Sequence, residues 1–322
     1  MNVCVVGHGM MGVWHSNALK TLDCRLHTIV GRRPEPTREF AERYGYTRWT
    51  TDLAEALADE EVDAVIVAGP SELHHEHAEL VLESRRDALV EIPLAMTLPD
   101  VEHLVTLAAR RGRILGVVHP LRFRPELAAL RERVAAGEER VRHVAGRFFI
   151  HRLENVGATG YRRSWTDNLL WHHMAHLVDC GMWILGEDVR AVHGFMPSVD
   201  AQTRIPMDAY VALETAKEQS LVCAGSYYGR ERIFEVFVVT DRDSYRLDIF
   251  GSTLTTGAGV ASVSSEEETC ALVTADLLAA VTERREPLVS ASGVLPAMSV
   301  LQEVQDAWDR RYGRRPLPGR QV

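Results

Sequence analysis

A chain of 322 residues allows one or two domains. Its 46% hydrophobic and 25% charged residues are ordinary for a globular protein and exclude a disordered polar polymer. The net charge of −9 argues against nucleic acid as a partner, so an anionic ligand has to be held by a local group of cations. No apolar run approaches the ~20 residues needed to cross a bilayer, and the N-terminus enters a strand without a charged-apolar-small leader pattern. We therefore expect a cytoplasmic protein with no membrane partner. Cys4, Cys24, Cys180, Cys223 and Cys270 are scattered and form no Cys-x-x-Cys pair, the pattern of reduced, mostly buried thiols.

The first apolar run, Asn2 to Val6, ends in Gly7-His8-Gly9-Met10-Met11-Gly12, and a helical pattern follows at once. Strand, glycine turn and helix in that order form the dinucleotide fingerprint in its proper context. Gly7 serves the tight turn, Gly9 lets the backbone approach a pyrophosphate, and Gly12 allows close helix-on-strand packing. Met10 and Met11 open the helix, whose N–H groups and dipole favour phosphate. The next strand, Arg25 to Val30, leads into Gly31-Arg32-Arg33. An acid commonly holds the ribose 2′-hydroxyl of NAD near this position, whereas Arg32 and Arg33 suit a 2′-phosphate. The expected cofactor is NADP, with NAD as a weaker substitute.

Further apolar runs at Val62 to Ala68, Ala88 to Glu91 and Ile114 to Val118 alternate with helical stretches at Thr51 to Leu57, Leu73 to Ser84 and Thr97 to Arg111. Thr97 can cap the last of these, with Pro99 in its first turn. The alternation predicts an α/β domain over residues 1–121. This is a Rossmann-type, doubly wound parallel sheet with its ligand crevice at the strand C-terminal ends. Those ends carry Gly69, Pro70 and His74, then Glu91, Ile92 and Pro93, then His119. Glu91 is placed to hold the nicotinamide ribose, though a surface ion pair would look the same. His75 and His77 read as solvated residues opening a helix.

After Leu121 the character changes. A helical segment from Pro125 to Ala135 precedes a strand from Arg140 to Ile150, a helix from Asn168 to Leu185, and several strand patterns between Val189 and about Thr256. Helices return at Ser264 to Glu283 and Gly293 to Tyr312. Residues 122–322 are expected to form an α+β domain with an open, mainly antiparallel sheet. Arg122 and Arg124, at the junction, suit either carboxylate binding or inter-domain ion pairs.

The densest constellation runs from Arg162-Arg163-Ser164-Trp165-Thr166-Asp167 into Trp171-His172-His173-Met174-Ala175-His176 and Asp179. On a regular helix His172, His176 and Asp179 share a face, and His173 points about 100° away. Imidazole is the side chain suited to moving a proton near neutral pH, and Asp179 is placed to orient His176. The spacing His-x₃-His also suits zinc, and a core helix with satisfied histidines remains a third reading. Hydride transfer needs no metal, and no convincing further ligand stands nearby, so we expect none.

These residues carry a resemblance. VEIPLA (90–95), RSWTD (163–167) and LLWHHMAH with the following Val-Asp (169–179) resemble the glucose-fructose oxidoreductase / inositol dehydrogenase (Gfo/Idh/MocA) family over essentially the whole chain. Within it they are most similar to the 4-carboxy-2-hydroxymuconate-6-semialdehyde dehydrogenases. The family's usual Glu-Lys-Pro appears here with Ile92 in the lysine position, and its aspartate four residues before the helix histidine appears as His172. The resemblance implies oxidation of a dicarboxylate's cyclic hemiacetal to 2-pyrone-4,6-dicarboxylate, with NADP taking the hydride, in aromatic-compound catabolism. It implies carboxylate binding by Arg122, Arg124 and Arg163, stacking by Trp165, a hydrogen bond from His173, and a homodimer or higher homo-oligomer. A hemiacetal hydroxyl is more acidic than a sugar alcohol, so a neutral imidazole can act where a lysine otherwise helps. The expected base is His176, with His172 or His173 next. Two other readings stay open: a sugar or cyclitol dehydrogenase of the same family, and a non-catalytic NADP sensor, which the missing lysine would favour.

Overall fold

The structure, a computed structural model, describes residues 1–156, 164–165 and 168–313. The chain divides into two compact units. The first contains Met1–Val118 and Cys270–Leu295, and the second contains His119–Asn155, Ser164–Thr269 and the chain from Pro296 onward. Residues 270–295 thus fold with the N-terminal half. There Val117 N–H donates to the Val289 carbonyl at 2.9 Å.

In the first unit the elements follow as β1 (Asn2–Val6), α1 (Met10–Leu19), β2 (Arg25–Val30), α2 (Pro34–Tyr44), β3 (Arg48–Thr50), α3 (Leu53–Leu57), β4 (Ala64–Val67), α4 (His74–Glu83), β5 (Asp87–Val90), α5 (Leu98–Arg111) and β6 (Leu115–Val117). The strands make one parallel sheet in the order β3-β2-β1-β4-β5-β6. Val3, Cys4, Val5 and all of Ala64–Val67 are fully buried, as expected of strands covered on both faces. The order reverses between β1 and β4, the place where open α/β sheets receive a ligand. Thr97 caps α5 as expected, its hydroxyl oxygen accepting from the Asp100 N–H at 3.3 Å. The three-residue edge strand β3 has no clear sequence signature, because Arg48 and Trp49 are both exposed.

The second unit holds α6 (Pro125–Ala135), β7 (Val141–His151), a π-helical turn (Leu170–Met174) running into α7 (Ala175–Leu185), then β8 (Val189–Phe195), β9 (Asp208–Thr215), β10 (Ser220–Ser226), β11 (Tyr228–Thr240), β12 (Ser244–Asp248), β13 (Thr253–Thr256) and β14 (Gly259–Ser262). Two long helices, α8 (Glu266–Glu283) and α9 (Ala291–Tyr312), complete the described chain. The eight strands lie in the order β14-β13-β12-β11-β7-β10-β9-β8, all antiparallel neighbours except β7 and β10. Helix α7 packs on one face of this sheet. A Cβ added at Gly146 of β7 would lie 3.0 Å from Leu177, and one at Gly181 of α7 would lie 2.4 Å from Leu221. The other face is open, with Phe195, Tyr210 and Val222 each more than two-fifths exposed. No helix among the described residues is long and apolar enough to cross a membrane.

The expected regular helix over Asn168 to Leu185 is therefore wound differently at its start. The Asn168 side-chain oxygen accepts from Leu170 N–H at 3.0 Å and so starts the turn. Met174 N–H then donates to the Leu169 carbonyl at 3.1 Å, a five-residue span. Single π turns of this kind gather at functional sites. Replacing Asn168 by Ala should cost about 1 kcal/mol of stability, the usual value of an N-cap, read as a lower midpoint in urea at unchanged slope. An unchanged midpoint would show that the turn does not depend on this cap.

Candidate active site

The glycine turn of the first unit fits a dinucleotide by three separate geometries. Gly7 has φ +100°, and a Cβ there would lie 2.4 Å from the Ala68 carbonyl oxygen. A Cβ at Gly12 would lie 2.2 Å from the Gly7 carbonyl oxygen, so the helix sits tight on the turn. A Cβ at Gly9 would meet nothing within 4 Å, which leaves room for a pyrophosphate against the backbone. Helix α1 starts at Met10 with no side-chain cap and no acid in its first turn, so its leading N–H groups and positive dipole end are available to phosphate. Arg32 and Arg33 follow β2 and are exposed, with Arg33 capping α2 in extended conformation. His8, which the sequence reading passed over, packs its ring on Phe40 at 5.7 Å. Burial pulls its pKa below the ordinary 6.5, with Arg33 acting in the same direction.

At the other strand ends Gly69 and Pro70 follow β4, and Glu91, Ile92 and Pro93 follow β5. His74 is buried, with Nδ1 2.8 Å from the Pro93 carbonyl and Nε2 3.1 Å from the Gly69 carbonyl. It ties two crevice loops together. Ile92 is 5% exposed and places an apolar group just beyond the end of β5. Glu91 is buried against His15, with Oε1 2.9 Å from Nε2. His15, Glu91 and Cys270 bring one donor atom each within 4.8 Å of one another, and the hydrogen bond already engages two of the three.

The second unit assembles an imidazole cluster. His173 stacks between Phe148 (3.7 Å between centroids, 14° between planes) and His172 (4.0 Å, 5°). The wider π turn thus lays His173 against His172, where a regular helix would turn it about 100° away. His173 Nδ1 lies 2.9 Å from the hydroxyl of Tyr227, which is fully buried. His176 lies 6.5 Å from His172 and, edge-on, 5.6 Å from His119, measured between ring centroids. His119, grouped by sequence with the cofactor residues, is thus placed in this cluster.

Asp179 does not reach His176, contrary to the expected pairing. Its carboxylate accepts from Arg122 Nε at 2.8 Å and from Arg122 Nη2 in a two-pronged buried pair, and it lies 3.3 Å from His119 Nδ1. Arg124 is fully buried and donates to the Ser264 carbonyl. Arg163 lies outside the described residues. Trp165 is half-buried, 5.8 Å from the Tyr227 ring, and the Arg152 guanidinium stands 5.6 Å from each of those two rings. Arg152, Phe148 and Tyr227 were not foreseen. Each sits on or beside a strand of the second sheet; Phe148 and Tyr227 meet His173, and Arg152 meets Trp165 and Tyr227.

His176 is only partly accessible, and burial pulls its pKa well below 6.5, with His119 and His172 adding to the effect. A neutral imidazole is the form that accepts a proton.

Residues 1–119 match the model described as "Oxidoreductase family, NAD-binding Rossmann fold" (Gfo/Idh/MocA), and residues 125–250 match "Bacterial oxidoreductases, C-terminal". The chain is 30% identical to 4-carboxy-2-hydroxymuconate-6-semialdehyde dehydrogenase of Sphingobium sp. over 95% of this chain and 98% of that protein.

The chain belongs to the Gfo/Idh/MocA oxidoreductase family.

It is an NAD(P)-dependent dehydrogenase. It is also 29% identical to inositol 2-dehydrogenase of Mycolicibacterium smegmatis, over 62% of this chain and 56% of that protein. Levoglucosan dehydrogenase in complex with NADH and levoglucosan shares the fold, with TM-score 0.84 and 16% identity over 96% of this chain and 97% of that one.

The lowered His176 pKa gives a pH expectation. Folding favours the neutral ring, so an imidazole acting as base at this position stays available as pH falls through 6.5. The profile of kcat/KM should remain flat there, with its acid limb well below. An acid limb centred near 6.5 would show that His176 is not the titrating base.

Proposed function

We propose that this dehydrogenase oxidises the cyclic hemiacetal of a dicarboxylate semialdehyde, of the 4-carboxy-2-hydroxymuconate type, to a pyrone dicarboxylate, with NADP preferred over NAD. Residues 1–121 carry the dinucleotide, with 270–295 folded into the same unit, and the rest of residues 122–322 carries the substrate. The single observation behind the reading is the stacked, partly buried histidine cluster beside an arginine-tryptophan pair, in a chain whose Ile92 cannot supply a proton acceptor. The similarity to the Sphingobium enzyme over nearly the whole of both chains supports the substrate class.

In this reading the Gly7–Gly12 turn and the α1 N-terminus hold the pyrophosphate, Arg32 and Arg33 the 2′-phosphate, and Glu91 the nicotinamide ribose. The bound cofactor supplies the hydride acceptor. His176 takes the hemiacetal hydroxyl proton as the carbon–oxygen double bond forms, and His172 and His173 polarise the ring substituents. Arg152 and Arg163 hold carboxylates, and Trp165 stacks on the flat ring. We assign Arg122 and Arg124 to structural roles, because the first is paired with Asp179 and the second is fully buried. His74 acts by fixing the loops that carry Pro70 and Pro93. The open sheet face, with Val222 and Tyr210 exposed, is the surface we propose for a homodimer.

The relatives acting on inositols favour a second reading, a cyclitol or sugar oxidation. Steady-state assay of NADP reduction with the hemiacetal dicarboxylate, with inositols and with aldoses separates the two. The expected result is a kcat/KM for the dicarboxylate at least about 10³-fold above the neutral polyols, because a site built for charged groups loses those contacts with neutral ligands. Equal or better turnover of a neutral polyol would reject the proposed substrate class.

A further inference from the structure

The first unit contains a buried polar chain of which the proposed mechanism uses only one end, Glu91. His15, fully buried on α1, has Nδ1 2.8 Å from the Thr274 hydroxyl and Nε2 2.9 Å from Glu91 Oε1. The Thr274 hydroxyl donates to the Cys270 carbonyl at 3.1 Å. Its hydrogen is therefore committed, and its oxygen accepts the Nδ1–H of His15. That fixes the imidazole orientation and leaves Nε2 and Glu91 Oε1 to share one proton. The His15 side chain has no solvent exposure, whereas that of Glu91 has 10%, so the pair is closed on the histidine side and open on the glutamate side.

We propose that His15, held by Thr274, is the positioning residue that fixes the Glu91 carboxylate so that its second oxygen meets a hydroxyl of the nicotinamide ribose. A glutamate at a strand end has three side-chain torsions to order before it can hold a ligand, and the hydrogen bond to a buried imidazole removes that freedom in advance. The arrangement also puts two cofactor contacts under one element. Helix α1 opens at the glycine turn, which receives the pyrophosphate, and carries His15 within the same 10-residue helix. A shift of α1 would move the phosphate cradle and Glu91 together. The proposal rests on the reading that Glu91 touches the cofactor, and the test separates the two.

The measurement is NADPH affinity by fluorescence titration of the enzyme without substrate, with the melting temperature taken alongside, for His15→Gln, Glu91→Ala, the double variant and Thr274→Val. His15→Gln and Glu91→Ala should each raise Kd about tenfold, and the double variant also about tenfold, because both remove the same contact. Thr274→Val, close in shape to the native residue, should weaken binding by roughly threefold through a less ordered imidazole. A purely structural His15 would lower the melting temperature and leave Kd unchanged. That result, with Glu91→Ala still weakened, overturns the proposal and keeps Glu91 as a cofactor contact. An unchanged Kd in Glu91→Ala rejects the contact, and the proposal with it. Additive losses of about a hundredfold in the double variant would overturn the coupling. Should His15→Gln fail to fold, an unchanged Kd in Thr274→Val overturns the proposal by itself.

Discussion

Desolvation of a single imidazole is the constraint on which the active-site account depends. His176 sits among apolar and aromatic groups and other imidazoles, and both the burial and its neighbours His119 and His172 disfavour a positive ring. Cationic charge has instead been placed where an acid compensates it, in the Arg122–Asp179 pair. Breaking such a buried pair leaves an uncompensated charge, so Asp179 matters to the cluster by holding Arg122 and touching His119. The neutral state of His176 follows from what surrounds it, without an orienting carboxylate of its own.

The apolar Ile92 at the end of β5 takes its meaning from this arrangement. A lysine beside the reacting oxygen adds a cation, helpful when the substrate is a weakly acidic alcohol. A hemiacetal hydroxyl gives up its proton more readily, and a neutral base suffices. In the proposed reading the proton acceptor is then the imidazole of His176 in the second unit, and the β5 end supplies none. Similar folds with different substrates, such as levoglucosan dehydrogenase, fit the rule that function resides in the site and not in the scaffold.

Much of the first unit was legible in the sequence because its signals are local. Gly7 and Gly12 each meet a steric demand set by atoms within or beside the turn, Gly9 leaves open space above it, and Thr97 announces the start of α5 through its own hydroxyl. The α+β character of the second unit was equally clear from its strand patterns. The site inside it was only partly readable. The histidines were found, but their mutual geometry depends on a π turn set by one bond from Met174 to Leu169, which no regular periodicity reveals. Phe148 and Tyr227 reach His173 from distant strands, and only the sheet register brings them there. The expected pairing of Asp179 with His176 failed for a related reason. Helical spacing placed them on one face, but Arg122, 57 residues away in sequence, offers the carboxylate a better partner.

Proton transfer to the His176 imidazole is the central step of the proposed reaction. The most direct test is the single-turnover rate of cofactor reduction by His176→Asn with saturating dicarboxylate hemiacetal. Asn preserves size and polarity but cannot take the proton. The rate should fall by roughly 10²–10⁴-fold, the usual contribution of a general base, while NADPH affinity stays within about twofold of the native enzyme. A rate within a few-fold of native would contradict the account and transfer the role to another group.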